Sequence, residues 1–178
     1  RARTFSRRAV AYTEVKNIEA ALKQYYAHYH TWPPLDCLLA AAEPLSSISG
    51  EDRGFVIDAN IAKMLQGTLS DSDGLNTSIK AANPDRISFI EFARKNGNSV
   101  PINPFRISST TETRQYKVLF DLDNDNHLSF SDSTATFQTN IFASVAVWTV
   151  IPGSTPKNST ANSTVTYEVL GSWNTFSK

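Results

Sequence analysis

Six residues near the front of the chain, Ala11, Val15, Ile18, Leu22, Tyr25 and Tyr29, form an apolar seam with spacings of 4, 3, 4, 3, 4. That rhythm holds one face of an α-helix against a single partner surface, and it predicts a helical stem over residues 1–32. Glu19 and Lys23 lie one turn apart off the seam, in the favourable order for an i,i+4 ion pair. Pro33 and Pro34 end the element, because neither donates a backbone hydrogen bond and the first ring disfavours helix at Trp32. The pattern occurs once. A chain with one long amphipathic helix must lay it along something built from the rest.

That remainder reads as strand-rich. Arg114–Phe120, Ile141–Val150 and Thr164–Trp173 are full of Val, Tyr, Phe, Trp and Thr and are bounded by turn residues. Helix first and strands last predicts an α+β fold in which an antiparallel sheet packs on the opening helix. The 178 residues suit one domain: stem 1–32, connector 33–110, sheet region 111–178. Within the connector, Phe55, Val56, Ile61, Met64 and Leu65 suit a second helix over Glu51–Gln66, with Gly67 as its C-terminal stop. Residues 36–49, Ser70–Asn76 and Pro152–Asn162 read as connector and loops, with one helical turn possible in the first, and Asn83-Pro84 as a turn. Ile87, Phe89, Ile90 and Phe92 fit a buried strand and a helical turn equally well.

The segment ahead of the seam is polar all round and carries Arg1, Arg3, Arg7 and Arg8. A helix without an apolar stripe has little reason to form alone in water. Either it frays as a solvated basic end, or it continues an apolar element that precedes it; the expectation adopted is the second. Elsewhere charge is balanced, with Lys plus Arg and Asp plus Glu at 17 each, which gives no global field for nucleic acid. The lone Cys37 cannot make an internal disulfide. No apolar run in the chain is long enough to span a bilayer.

The strongest chemical motif is Asp121-Leu-Asp-Asn-Asp-Asn-His-Leu-Ser-Phe-Ser-Asp132. Asp121, Asp123 and Asp125 hold positions 1, 3 and 5 of a twelve-residue window, His127 position 7 with its carbonyl, Ser129 position 9 and Asp132 position 12. This is the ligand spacing of an EF-hand loop, with Asn126 where glycine usually makes the sharp turn. Three carboxylates so close repel by about 1 kcal/mol per contacting pair in water, and a hard divalent cation converts that repulsion into binding. Asp132 is shorter than the usual Glu, so the expected calcium affinity is modest, with Kd of about 10⁻⁴ M, which extracellular calcium still fills. The other reading is a solvated acidic loop. The strand-like flanks exclude a helix–loop–helix sensor.

Weaker features carry less. His28 and His30 point to different sides of a helix and do not suit joint metal ligation. Asp71 and Asp73 before Gly74 imitate a calcium loop, but Leu75 fails the next ligand position. Asn76, Asn158 and Asn162 head N-x-Ser/Thr triplets, which mark exposed loops. No nucleophile elbow, H-E-x-x-H or phosphate-cradling glycine loop occurs, and the seven glycines are scattered, so no enzyme activity is expected.

Taken together, several blocks resemble a known family. Asn17-Ile18-Glu19-Ala20-Ala21-Leu22 and Tyr25-Tyr26, ending at a Pro, are similar to the periplasmic half of a type IV pilin-like helix, closest to the major pseudopilins of type II secretion. Asn60-Ile61-Ala62-Lys63-Met64-Leu65, Asn83-Pro84-Asp85-Arg86-Ile87-Ser88-Phe89, the strand Tyr116–Phe120 and Ala143-Ser144-Val145-Ala146-Val147-Trp148 extend the resemblance, as does Ser172-Trp173. The family's Asp-Pro-Trp-Gly is Asn103-Pro104-Phe105-Arg106 here, and its Gly-Pro-Asp after the Trp strand is Val150-Ile151-Pro152-Gly153. The acidic pair before the final Ser-Trp is absent.

The resemblance implies a pilin-like fold and a cleaved leader followed by a greasy helix half that anchors the protein in the inner membrane. It also implies a structural calcium ion in the Asp121–Asp132 loop. Implied partners are further copies in a helical filament, other pseudopilins or pilins, and inner-membrane assembly machinery, at the periplasm or cell surface. A secretion pseudopilus and a related pilus stay open. The competing expectation is a calcium-dependent surface adhesion module that uses Trp148, Trp173 and the 152–162 loop.

Overall fold

The computed structural model describes residues 2–33, 53–69, 80–105, 114–132, 137–153 and 167–173, with the backbone alone described at 2, 53, 129–132, 137–140 and 167. The expected connector at 36–49, the Ser70–Asn76 loop and most of the 152–162 loop lie outside these residues.

Helix α1 (Ala2–Tyr29) is followed by β1 (Arg53–Val56), α2 (Ala59–Gln66), β2 (Tyr116–Phe120), β3 (Leu128–Asp132), β4 (Phe137–Ile141), β5 (Val145–Pro152) and β6 (Tyr167–Gly171). The architecture is α+β, a long N-terminal helix against a four-stranded antiparallel sheet in the order β1-β2-β5-β6. Strands β3 and β4 form a separate antiparallel pair inserted between β2 and β5.

The α1 seam works as its spacing demands. Ala11, Val15, Ile18, Leu22 and Tyr25 are buried, and Tyr29 is partly so. Glu19 pairs with Lys23 at 2.8 Å and with Lys16 at 3.2 Å. The helix stops at Tyr29, three residues before the expected end, because His30 turns left-handed at φ 57° while its N–H still donates to the Tyr26 carbonyl at 2.7 Å. The polar front is helical from Ala2, with residues 3–7 exposed.

Alternation on the central strands divides the core. Tyr116, Val118 and Phe120 of β2, with Val145 and Val147 of β5, face the α1 seam and the α2 residues Ile61, Met64 and Leu65. Leu119, Ala146 and Trp148 face the other way, onto Leu128, Val169 and Trp173. Period-2 pleating thus buries both faces of β2 and β5. Near the front of α1, Ala11 meets Phe105, Ile151 and Leu170, and Arg8 pairs with Glu168 of β6.

Two expected elements need correction. The helix expected over Glu51–Gln66 begins only at Ala59, and Arg53–Val56 is the edge strand β1, registered on Lys117–Phe120. Asp58 sets the boundary: its extended backbone ends the strand, and its carboxylate caps α2 by accepting from the N–H groups of Asn60 and Ile61, both at 2.9 Å. Gly67 ends α2 as expected, at φ 65°. The single strand expected over Ile141–Val150 is split: Ile141 closes β4, Phe142–Ser144 turn the chain, and β5 starts at Val145. The 87–92 segment is neither strand nor helix; it covers the core irregularly through Phe89, Ile90 and Phe92.

Candidate metal centre

The acidic loop spans residues 121–127 between β2 and β3, so a rigid sheet strand delivers its first carboxylate. Asp121 directly follows the buried Phe120, and its N–H donates to the Ser144 carbonyl at 3.1 Å, tying the loop to the turn before β5. The side chain is only 2 % exposed. One carboxylate oxygen, Oδ2, accepts from the Asn126 N–H at 2.8 Å. The other, Oδ1, is buried without a hydrogen-bond partner among the described residues. A buried acceptor left bare costs about 1–3 kcal/mol, more when charged, a cost that a cation at this oxygen would offset.

Two further turns shape the loop. Asp123 accepts from the Asp125 N–H at 3.2 Å, and Asp125 accepts from the His127 N–H at 2.7 Å. Asn124 and Asn126 take left-handed backbone at φ 62° and 58°, a conformation asparagine tolerates better than most residues. Asn126 therefore makes the sharp turn expected at the sixth position. One oxygen each from Asp121, Asp123 and Asp125 lies within 4.8 Å of the others, the one such group among the described residues. Two oxygens bound to the same calcium ion at about 2.4 Å are at most about 4.8 Å apart.

Electrostatics follows burial. Desolvation raises the Asp121 carboxyl above the usual aspartate range, and its neighbour Asp123 adds to the rise. Asp123 is held low, chiefly by the hydrogen bond from the Asp125 N–H. The donor set is all oxygen and strongly anionic, with a dry first ligand and exposed third and fifth. That chemistry fits a hard divalent cation such as calcium better than a soft metal.

The remaining expected ligands fall less neatly. His127 follows the cluster, and its ring rests 5.4 Å from that of Phe142. Ser129 and Asp132 lie on β3, and their side chains are outside the described residues. Four extended steps from Leu128 carry the Asp132 backbone about 13 Å along the strand, whereas an EF-hand chain curls back. The loop therefore brings together the carboxylates of positions 1, 3 and 5 and then runs out as a strand from Leu128. Sequence reasoning missed Phe142, 90 % exposed beside this loop, because it falls inside the single strand expected over Ile141–Val150.

His28 pairs with Asp85 at 3.1 Å, and His30 ends α1 in left-handed backbone. No helix among the described residues is long and apolar enough to cross a membrane. No family model, no curated protein and no solved structure matches this chain.

Proposed function

We propose that this protein is a non-enzymatic structural subunit of a helical filament, either a type II secretion pseudopilus or a related type IV pilus, whose head is stabilised by calcium. The observation that carries this reading is α1. A 28-residue helix buries only the seam from Ala11 onward under the sheet, while residues 3–7 are helical and exposed. A stem that outruns its own head is suited to packing against neighbouring copies. Repeated head-to-tail contacts between unlike surfaces give an open helical polymer. The sequence blocks named above support the same assignment, and the acidic loop supports the calcium. In this reading the greasy helix half lies ahead of Arg1, holds the subunit in the inner membrane before assembly, and brings it to the machinery and minor subunits that build the filament.

The exposed Phe142 beside the loop favours one second reading, a calcium-dependent adhesion module at the cell surface. Electron microscopy and light scattering of the full processed protein, with its natural upstream residues, separate the two. Filaments are expected. A chain that carries an apolar upstream segment yet stays monomeric after detergent removal overturns the filament.

A further inference from the structure

The loop between Arg94 and Ile102 carries the chain's single Asn-Gly step, Asn96-Gly97. It is a tight reversal. Lys95 and Pro101 form an antiparallel bridge, and the Asn96 N–H donates to the Val100 carbonyl at 2.9 Å. Ser99 turns the chain through left-handed backbone at φ 63°. The Asn96 side chain is folded into the reversal: its Oδ1 accepts from the N–H groups of Asn98 and Val100, both at 2.9 Å. The Asn96 amide nitrogen Nδ2 and the Gly97 N–H make no hydrogen bond among the described residues. Gly97 is exposed, and a Cβ built there would meet nothing within 4 Å.

These features suit an intramolecular acyl transfer. The nucleophile would be the Gly97 backbone nitrogen, separated from the Asn96 Cγ only by the carbonyl carbon, Cα and Cβ, and unscreened by a side chain of its own. Oδ1, where negative charge develops during attack, already rests between two N–H donors. The leaving nitrogen is untethered. We propose that Asn96-Gly97 is a self-modification site at which the folded chain turns Asn96 into an acid. The Gly97 nitrogen gives up its proton and bonds to Cγ. The Cγ–Nδ2 bond breaks, and Nδ2 leaves with that proton as ammonia. Water then opens the five-membered imide. Opening at Cγ gives aspartate; opening at the main-chain carbonyl gives isoaspartate, whose backbone runs through Cβ and Cγ. Either product adds a negative charge to a chain that is neutral overall. Aspartate keeps a side-chain acceptor for both N–H groups, whereas isoaspartate draws that oxygen into the backbone and lengthens the reversal that Lys95 and Pro101 close. The change runs one way and needs only water, so the loop records the age of the folded protein. Nothing in this rests on the filament reading.

Peptide mapping by mass spectrometry, after incubating the whole chain in heavy-oxygen water, tests the site. Conversion of Asn96 with uptake of one solvent oxygen is expected, faster than at any other asparagine. Its rate should rise with pH, because the Gly97 nitrogen must lose its proton, and should be no lower than in a free peptide of residues 92–102. Gly97→Ala, which the open space around Gly97 admits, should slow conversion by about tenfold or more without lowering the melting temperature. Asn96 left intact overturns the proposal. So does conversion slower in the folded chain than in the peptide, which would mean that the loop shields the amide. Conversion indifferent to Gly97→Ala also overturns it, since the Gly97 nitrogen would then not be the attacking group.

Discussion

Asp121 is the residue on which the metal assignment turns, and its two oxygens divide the work. One closes the loop on the Asn126 N–H; the other, sealed from water, has no partner among the described residues. Calcium filling that gap should raise the melting temperature. At a concentration about 100 times Kd, binding contributes about 2.7 kcal/mol. For a chain of this size that is about 5–10 °C. Asp123→Ala is expected to abolish the rise while leaving melting in EDTA nearly unchanged; differential scanning calorimetry with and without calcium checks both. The direction with pH follows from burial. A raised Asp121 means that the metal-free fold favours the protonated carboxyl, so stability is lost as pH climbs from the ordinary aspartate range through the raised value. Asp123, held low, acts oppositely and lower on the pH scale. Calcium binds the ionised loop, so its stabilising increment should be larger at about pH 7 than at about pH 4.5. Equal increments at both would contradict this. The 1-3-5 spacing of Asp121, Asp123 and Asp125 and the Asn126 turn were legible in sequence because they are local. The bare oxygen of Asp121 was not, since its burial follows from where β2 ends against the turn before β5.

Among the elements, α1 was the most legible, because its helical period is sustained over five turns of buried residues from Ala11 to Tyr25 and onto Tyr29. The 51–66 stretch misled because Phe55 and Val56 continue an apolar count that also suits a helix. What makes Arg53–Val56 a strand is its pairing with β2, some sixty residues on in the chain, and that partner is invisible to a local window. The Ile141–Val150 stretch misled in the opposite way. Its β-prone residues run almost unbroken, and only the Ser144 carbonyl held by Asp121 marks the change of sheet. Gly67 was read correctly for its conformation, but the structure adds a close approach. A Cβ there would sit 2.4 Å from the Arg86 carbonyl oxygen, in a segment whose next strap is the Phe89 N–H donating to the Leu65 carbonyl at 2.8 Å. Gly67→Ala is therefore expected to destabilise by about 2–3 kcal/mol, combining left-handed strain with displacement of the 86–87 backbone. A urea midpoint unchanged from wild type would refute this.

At the scale of the whole molecule, the sheet is a partition with separate apolar packing on each side. α1 serves one side only. Its seam is locked by Tyr116, Val118 and Val147, while its front turns have no such cover. Amide hydrogen exchange should reflect that division: amides at 3–7 should exchange rapidly, whereas those from Ile18 to Tyr25 should need global unfolding. Uniform protection along the helix in the isolated chain would show that the front turns are covered after all. Polymerisation into the proposed filament should then slow exchange selectively at 3–7.

The placement of β5 has a consequence for biosynthesis. The helix emerges first, but the strand that covers its seam is residues 145–152, more than a hundred residues later. At about 5–20 residues per second, the ribosome leaves the seam bare for roughly 6–24 s. During that interval the nascent chain presents a greasy amphipathic rod, and a product truncated before β5 would be a sticky peptide, not half a domain. Cover for the seam thus waits on the last part of the chain, which makes translation speed a determinant of yield for this fold.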